Sequence, residues 1–469
     1  MVPTAESFDV VIIGGGPGGY AAALYGAPAG LKIAVVEHDR VGGTCLNRGC
    51  IPAKELLETA SVFRAVAGAK EFGVQADQPT LDASAMMARM TQVVDKLVNG
   101  LAATLKGRKV ETFNGTGTLG PEHTVTVTAE DGSTTELIGT NVILATGSLP
   151  KTIPGFEVDG KVVLTSTEVF ELEELPKRVA VIGGGYIGIE FASMFCDLGT
   201  EVTVLEGLPS ILAGVDADVV KQVERSFRKR KLQVRTGVKV TGHTPGDSGT
   251  TVHVEDGDDV EVDAVVVAVG RYPVSEGVLT GDTGVQVDGR GFFQVDEWCR
   301  TAADGVFAVG DVIATPGLAH VGFAEAMLVI KQILGEDATP IEYGRVPCCV
   351  YSHPEIAYCG MTEQAAKDAG FDVVVSKHQW MGNGRALIVG DTDGLVKVIA
   401  EKGPDGKAGR LLGVHMAGPW ITEQLGQGYL AVNWEATAAD VAHLIQPHPT
   451  LSENFGETIL SLTGRGLHG

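Results

Sequence analysis

One structural pattern occurs twice in this chain, and the duplication limits the fold more than any other feature of the sequence. Residues 9–37 read as an apolar strand, a glycine-rich turn, an alanine-rich helix and a second strand that ends in glutamate. Residues 178–206 follow the same order. Each unit is followed by a predicted hairpin with an Asp-Gly turn and then by a buried strand that stops at glycine, Gly147 or Gly270. We therefore predict an α/β fold that contains two doubly wound, Rossmann-like domains.

Both copies carry the G-x-G-x-x-G pattern of a dinucleotide site, after a strand and before a helix. The first glycine permits the tight turn, the second lets a pyrophosphate approach the backbone, and the third lets the helix pack closely on the strand. A glycine-rich turn can be purely structural, but its context in both copies favours dinucleotide binding. The glycines are Gly14, Gly16 and Gly19 in the first copy and Gly183, Gly185 and Gly188 in the second.

An acidic residue closes each unit, Glu37 in the first copy and Glu206 in the second. Such a carboxylate accepts hydrogen bonds from a ribose diol. In the second copy it would also repel the 2′-phosphate of NADP, and the first basic residue after it is Lys221. We therefore predict that the second copy binds NAD.

The chain is strongly acidic, with 59 acidic and 36 basic residues and a formal net charge of −23. Because such a protein repels phosphate backbones, nucleic acid is not expected as a partner, and a basic protein surface is the better candidate. No apolar run reaches transmembrane length, so no membrane association is expected. The N-terminus lacks the basic region and cleavage site of a secretory signal. The expected location is cytoplasmic.

Seven cysteines in a chain predicted to be cytoplasmic do not indicate a disulfide framework. Five of them lie in apolar or aromatic surroundings and are predicted to be buried thiols. These are Cys196, Cys299, Cys348, Cys349 and Cys359.

Cys45 and Cys50 differ, because they lie in the segment GGTCLNRGCIPAK (42–54), in a stretch that the second copy lacks. They could be metal ligands, but no second Cys or His pair at zinc spacing accompanies them, so no metal site is predicted. They could also be inert packing residues. Neither alternative explains their place just beyond a dinucleotide-binding strand. If they form a disulfide, the segment must depart from a regular helix, since disulfide Cα atoms lie within about 7 Å.

With these motifs the sequence closely resembles the members of the pyridine nucleotide–disulfide reductase family that act on dithiols. The resemblance covers nearly the whole chain and includes ATGS at 145–148, AVGD at 308–311 and HPTLSE at 448–453. It implies that the first copy binds FAD and that Cys45 and Cys50 form a redox-active disulfide. It also implies an enzyme that oxidises protein-bound dihydrolipoamide and reduces NAD to NADH.

The resemblance assigns roles to the catalytic residues. Cys45 would exchange with the substrate dithiol, and Cys50 would be the thiol on the flavin side. His448, oriented by Glu453, would be the base that takes a proton from the dithiol, and it would act in the active site of the partner subunit.

Lys54 and Glu190 would pair beside the flavin, where a cation stabilises charge on the reduced ring. The remaining cofactor residues follow from the same motifs. For FAD they are Gly14, Gly16, Gly19, Glu37, Thr44, Lys54, Gly117, Thr146, Gly147, Ser148, Asp311, Leu318, Ala319 and His320. For NAD they are Gly183, Gly185, Gly188, Glu206, Val240 and Gly270.

Four regions are expected along the chain. They are an FAD-binding domain with the redox segment at 1–150, an NAD-binding domain at 151–280, a central domain that completes the FAD site at 281–346, and an interface domain at 347–469. The family forms homodimers, and it serves the lipoyl-bearing acyltransferase core of 2-oxo acid dehydrogenase complexes or a similar lipoyl carrier.

Three positions depart from the pattern of the relatives, or vary within it. Ala53 replaces a serine, Gln446 replaces a second histidine near His448, and Tyr186 stands where an aliphatic residue is common and could cover the flavin. Two alternatives stay open at this point. The chain could be a related flavin reductase of another small disulfide, or it could be chiefly a docking flavoprotein of a larger complex.

Overall fold

The computed structural model describes residues 6–468. The strands are β1 (Glu6–Ile13), β2 (Ile33–Glu37), β3 (Glu111–Asn114), β4 (Thr116–Leu119), β5 (Thr124–Thr128), β6 (Thr134–Leu144), β7 (Ser148–Pro150), β8 (Val163–Leu164), β9 (Arg178–Ile182), β10 (Glu201–Glu206), β11 (Gln233–Thr236), β12 (Val240–Pro245), β13 (Thr250–Val254), β14 (Val260–Val262), β15 (Ala264–Val267), β16 (Arg271–Pro273), β17 (Val306–Ala308), β18 (Cys348–Val350), β19 (Glu355–Gly360), β20 (Val373–Gln379), β21 (Leu395–Lys402) and β22 (Ala408–Gly418). The α-helices are α1 (Pro17–Gly26), α2 (Gly43–Arg48), α3 (Cys50–Gly68), α4 (Ala83–Gly107), α5 (Tyr186–Asp197), α6 (Ala217–Lys229), α7 (Ala319–Leu334), α8 (Glu363–Asp368), α9 (Gly384–Val389), α10 (Ile421–Asn433), α11 (Ala438–Ala442) and α12 (Glu453–Leu462).

The first copy forms a sheet in the order β3-β2-β1-β6-β5-β4, and β17 adds to it beside β6. Strand β1 runs parallel to both β2 and β6, whereas β4, β5 and β6 form antiparallel pairs. The predicted first hairpin is the β5–β6 pair. Phe293, Val306 and Ile330 pack in the same core as Val11 and Val142, so segment 281–346 shares the core of this sheet.

The second copy forms a parallel sheet in the order β11-β10-β9-β15-β8, and β12, β13 and β14 form a separate antiparallel sheet. The predicted second hairpin is the β13–β14 pair. The stretch that lengthens the first copy is helical and contains α2, α3 and α4. The two doubly wound units predicted from the duplication are therefore present.

The C-terminal region is an antiparallel sheet in the order β18-β19-β22-β21-β20. Its core includes Trp380, Val414 and Met416, and Leu425 of α10 and Ile459 of α12 pack against them. No helix within residues 6–468 is long and apolar enough to cross a membrane.

The five cysteines outside the redox segment agree only in part with the prediction that they are buried. Cys299 and Cys359 are buried, but Cys196, Cys348 and Cys349 are only half-buried. Burial raises the pKa of each of the five thiols. They are therefore protonated at neutral pH and poor nucleophiles.

A buried lysine joins the second copy to the C-terminal sheet. The Nζ atom of Lys397 on β21 lies 2.9 Å from Asp216 and 2.7 Å from Asp218, both at the start of α6. It also lies 2.8 Å from Glu363 on α8. Although burial lowers the pKa of Lys397, its hydrogen bonds to these carboxylates raise the pKa to about 12. The ammonium group stays charged and connects the two regions.

We expect Lys397→Met to lower the free energy of unfolding by about 3–5 kcal/mol, because it leaves the buried carboxylate of Asp216 without its cation. Urea unfolding of the holoenzyme at a fixed protein concentration measures this change. Lys402→Met is the matched control on the same strand, since Lys402 pairs with Asp372 at an exposed site. It should change stability by less than about 1 kcal/mol. Equal unfolding midpoints for the two variants would contradict the role given to Lys397.

Candidate active site

Each glycine turn brings a helix unusually close to the strand before it. Gly14 and Gly183 have φ angles of 108° and 110°, in the region that favours glycine. A Cβ atom on Gly19 would lie 1.8 Å from the carbonyl oxygen of Gly14, and one on Gly188 would lie 2.0 Å from that of Gly183. These positions therefore require glycine, and the helix N-terminus points its free N–H groups into the space beyond the strand.

The acidic residue that closes each unit is bound to the turn itself. Glu37 accepts hydrogen bonds from the backbone N–H groups of Gly15 at 2.8 Å and Asp39 at 2.9 Å. Glu206 accepts from the N–H groups of Gly184 and Leu208. Both carboxylates also line a cavity and retain free lone pairs. Each can thus hold the turn and accept a ribose hydroxyl together.

The first cavity has a volume of about 590 Å³ and lies along the first copy. Most of the predicted FAD residues line it: Gly14, Gly16, Glu37, Thr44, Lys54, Gly117, Thr146, Gly147, Ser148, Asp311, Leu318 and Ala319. Gly19 packs against the strand and does not line the cavity, which suits the third glycine of the motif. His320 does not line it either, because its Nε2 atom lies 2.7 Å from the carbonyl oxygen of Pro347.

The two cysteines form a disulfide at this cavity. Cys45 lies in α2 and Cys50 begins α3, and both line the cavity wall. The helical course breaks at Gly49, which has φ −145° and ψ −110°. The break brings the two Cα atoms to 4.7 Å. The predicted departure from a regular helix is confirmed.

Lys54 and Glu190 form an ion pair at the same wall. The Nζ atom of Lys54 donates to both carboxylate oxygens of Glu190, at 2.8 and 2.7 Å. Glu190 also accepts from the backbone N–H of Tyr351 at 2.9 Å, and the Tyr351 ring lies 4.9 Å from Nζ of Lys54. The pair is therefore fixed by a residue of the C-terminal region, which sequence reasoning did not identify.

The second cavity, of about 800 Å³, lies along the second copy. Of the predicted NAD residues, it is lined by Gly183, Gly185, Glu206, Val240 and Gly270. Gly188 packs against the strand, as Gly19 does in the first copy. Sequence reasoning missed Lys239 and Arg271, both of which line this cavity. Lys239 directly precedes Val240, and Arg271 directly follows Gly270. Both could have been found as chain neighbours of residues that the sequence analysis had predicted.

The two cavities meet at a shared wall that contains Tyr186. The Tyr186 hydroxyl is hydrogen-bonded to that of Tyr358 on β19. Burial raises the pKa of both phenols, so both are neutral at physiological pH. Tyr186 therefore stands between the cavities and is held by the C-terminal sheet.

His448 and Glu453 form a pair away from both cavities of their own chain. Nδ1 of His448 lies 2.7 Å from Oε1 of Glu453, and the imidazole is 80% exposed. Although burial raises the pKa of Glu453, hydrogen bonds from the Thr450 N–H and from His448 hold it below its usual range. The ionised carboxylate fixes the proton on Nδ1 and leaves Nε2 as an acceptor that points away from Glu453.

These features fit two dinucleotides and a redox disulfide. Each cavity begins at a glycine turn and a helix N-terminus, which suit a pyrophosphate, and each has a carboxylate for a ribose. The disulfide and the Lys54–Glu190 pair line the first cavity, which shares a wall with the second. The arrangement can pass electrons between a dithiol and a nicotinamide through a cofactor in the first cavity.

Comparison with protein families gives two matches. The family described as pyridine nucleotide-disulphide oxidoreductase matches residues 8–326, and its dimerisation domain matches residues 346–459.

Full-length relatives are also similar. The dihydrolipoyl dehydrogenase of Bacillus subtilis (strain 168) is 40% identical over 477 residues, covering 99% of this chain and 100% of that protein. The mitochondrial dihydrolipoyl dehydrogenase of Pisum sativum is 36% identical and covers 99% of this chain and 93% of that protein.

Among solved structures, LpdA from Mycobacterium tuberculosis superposes with a TM-score of 0.90 at 27% identity, covering 98% of this chain and 100% of that one. The HOCl-induced flavoprotein disulfide reductase RclA from Escherichia coli superposes with a TM-score of 0.85 at 27% identity, covering 96% of this chain and 99% of that one. Since the first family model spans more than half of the sequence and the relatives match nearly all of it, the chain belongs to the pyridine nucleotide-disulphide oxidoreductase family.

Proposed function

We propose that this protein is a dihydrolipoyl dehydrogenase, which oxidises protein-bound dihydrolipoamide and reduces NAD to NADH. The observation that carries the proposal is the Cys45–Cys50 disulfide in the wall of one dinucleotide cavity, which itself shares a wall with a second. A disulfide in this place can accept electrons from a dithiol and release them toward the nucleotide. The full-length similarity to dihydrolipoyl dehydrogenases supports dihydrolipoamide as the dithiol.

The dithiol reaction is two successive exchanges. One substrate thiolate attacks the sulfur of Cys45, the Cys45–Cys50 bond breaks, and Cys50 leaves as a thiolate. The second substrate thiolate then attacks the substrate sulfur of this mixed disulfide, and Cys45 leaves as a thiolate. The substrate departs as a cyclic disulfide, and both electrons remain on the enzyme dithiol.

The substrate thiols must lose protons for these exchanges, because the free pKa of a thiol, about 8.5, leaves little thiolate at neutral pH. His448 is a suitable base, since Glu453 orients its ring and leaves Nε2 able to accept a proton. His448 does not line the disulfide cavity of its own chain. We place it in the active site of the partner subunit within a homodimer, and the match to the family's dimerisation domain supports a dimer.

FAD bound in the first cavity would be held by the glycine turn and Glu37, and it would supply the two-electron chemistry that links the reduced cysteines to NAD. Lys54 places a cation at this cavity and Glu190 holds its ammonium group in position. Such a cation favours the negative charge that develops during flavin reduction. Glu206 would select NAD in the second cavity.

The partner that delivers the substrate would be the lipoyl-bearing acyltransferase core of a 2-oxo acid dehydrogenase complex, or a similar lipoyl carrier, in the cytoplasm. The net charge of −23 supports docking to a basic protein surface. Co-purification with a lipoylated protein, with an interaction that weakens as salt rises, tests this assignment.

Cys45→Ser and Cys50→Ser should each abolish turnover of dihydrolipoamide while the protein still binds FAD. Each variant removes one sulfur of the disulfide but leaves the glycine turn and Glu37 in place. In the two-electron-reduced enzyme, Cys50→Ser should also remove the long-wavelength absorbance of a thiolate next to flavin. Steady-state assays and visible spectra measure both effects, and wild-type turnover in either variant would refute the redox pair.

His448→Gln should lower the rate of flavin reduction by dihydrolipoamide by about 10² or more, the usual effect of losing a positioned base. It should leave flavin reduction by NADH nearly unchanged, because hydride transfer needs no proton from His448. Glu453→Gln should slow flavin reduction by dihydrolipoamide to a smaller extent and should also leave reduction by NADH nearly unchanged. The reason is that Glu453 orients His448 but does not itself take the proton. Stopped-flow measurement of flavin reduction by dihydrolipoamide and by NADH tests whether His448 is the base. Equal slowing of the two would mean that His448 only stabilises the dimer.

NADP should react with a kcat/KM at least about 100-fold below that of NAD, because its 2′-phosphate would meet the carboxylate of Glu206. Glu206→Gln should reduce this preference, since it removes the charge and keeps the side-chain size. The control is the rate of dihydrolipoamide-driven flavin reduction, which should not change. Equal efficiency of the two nucleotides with the native enzyme would exclude the role given to Glu206.

A further inference from the structure

One fully buried carboxylate lies outside both cavities. Glu325 on α7 is 0% exposed and lines neither of them. It accepts hydrogen bonds from the backbone N–H of Gly310 at 2.6 Å, the Thr315 hydroxyl at 2.7 Å and the Tyr343 hydroxyl at 3.0 Å. Burial raises the pKa of the Glu325 carboxyl, whereas each of these three hydrogen bonds lowers it. The three donors therefore favour the ionised form inside the core.

Two of the three donors belong to one loop, which connects the end of β17 to the start of α7 (residues 309–318). Gly310 lies at the start of this loop and donates to Oε2 of Glu325. Thr315 lies in the second half of the loop and donates to Oε1. One carboxylate thus holds the two halves of the loop together, with a different oxygen for each half.

The same loop forms part of the wall of the first cavity, which both Asp311 and Gly317 line. Asp311 lies between the two positions that Glu325 holds, and its Oδ2 atom accepts the Ser148 hydroxyl at 2.6 Å. A Cβ atom on Gly317 would lie 3.3 Å from Oδ1 of Asp311, so the second half of the loop packs against this carboxylate. The direction of the Asp311 side chain therefore depends on how the two halves of the loop are held.

The third donor lies outside the loop. Tyr343 is in a short 3-10 turn before β18, and its hydroxyl donates to Oε1 of Glu325, the same oxygen that Thr315 binds. Only the bond from Thr315 also restrains the loop. Val312 and Ile313 are buried in the core of the first sheet and anchor the middle of the loop. Removing one hydroxyl should therefore loosen the loop without unfolding it.

We propose that Glu325 is a positioning residue for the flavin site. It joins the two halves of the loop and thereby holds the carboxylate of Asp311 at the first cavity. A loop that is already fixed has less conformational freedom to lose when a cofactor binds. FAD should therefore leave the holoenzyme more slowly than it would from a loosened loop. From the proposed function this inference takes only that FAD occupies the first cavity.

Thr315→Val and Tyr343→Phe are a matched pair for the test, because each removes one hydroxyl donor from the same carboxylate oxygen. The rate of FAD release from each holoenzyme is measured as flavin absorbance in the filtrate at set times after dilution. Thr315→Val should release FAD about fivefold faster or more, the order expected when one hydrogen bond to a buried charged group is lost. Tyr343→Phe should stay within about twofold of wild type. Glu325→Gln should have at least the effect of Thr315→Val, and Thr315→Ser, which keeps the hydroxyl, should restore the wild-type rate.

A double variant tests whether the loop acts through Asp311. Asp311→Ala should itself speed FAD release, and adding Thr315→Val to it should change the rate by less than about twofold, since coupled residues do not act additively. A full fivefold effect in that background would overturn the proposal. Equal release rates for Thr315→Val and Tyr343→Phe would also overturn it, because Glu325 would then only satisfy donors in the core. If the wild-type enzyme held FAD but did not oxidise dihydrolipoamide, the proposed function would fail, whereas FAD release would still test Glu325.

Discussion

The close approach of helix to strand at the two glycine turns is the constraint on which the rest of the molecule depends. With 1.8 Å between a Cβ atom on Gly19 and the carbonyl oxygen of Gly14, only glycine allows α1 to pack where it does. The same holds for Gly188 and α5 in the second copy. This packing aims each helix N-terminus along a cavity and brings Glu37 and Glu206 onto the turns. Without it neither cavity would have the shape or polarity for a pyrophosphate.

Helix α5 then connects the cavities to the rest of the protein. One face of it presents three polar side chains, at positions separated by three and four residues. Glu190 receives Lys54 of the redox helix α3, and Asp197 receives Arg64 of the same helix. Glu190 and Ser193 also accept backbone N–H groups from the loop after β18. The second unit, the redox helix and the C-terminal sheet are therefore held together along one helix that starts at the nicotinamide cavity.

The same packing sets the position of the positive charges at the site and the protonation of the thiols near it. Lys54 sits at the first cavity and Arg271 at the shared wall, each with a carboxylate or hydroxyl that sets its orientation. The cysteine thiols near the site, such as Cys349, are kept protonated because burial raises their pKa, in the case of Cys349 to about 12. The redox chemistry is thus confined to the Cys45–Cys50 pair, although a third thiol lines the same cavity.

Much of this could be predicted from sequence, because the decisive features are local. A glycine turn, its strand and its helix lie within about 30 residues, and the duplication made the prediction strong. A departure from a regular helix in the redox segment followed from the geometry of two cysteines five residues apart, whereas its place at Gly49 came from the structure. The motif predicted that the backbone near His320 lies at the flavin site, and Leu318 and Ala319 line the first cavity, but the motif did not indicate that the His320 side chain turns to Pro347. Direction of a side chain depends on neighbours far along the chain, and a motif does not contain them.

The sequence by itself therefore determined the two dinucleotide units, the redox disulfide segment and the His448–Glu453 pair, since each is encoded by residues near one another in the chain. Only the tertiary structure decided that the cavities meet at a wall containing Tyr186 and Arg271. It also decided that Tyr351, in the loop after β18, and Tyr358, on β19, hold residues of the site. These contacts join segments more than 100 residues apart. They arise because burial of apolar surfaces brings whole domains together, and no local pattern records which side chains then face each other.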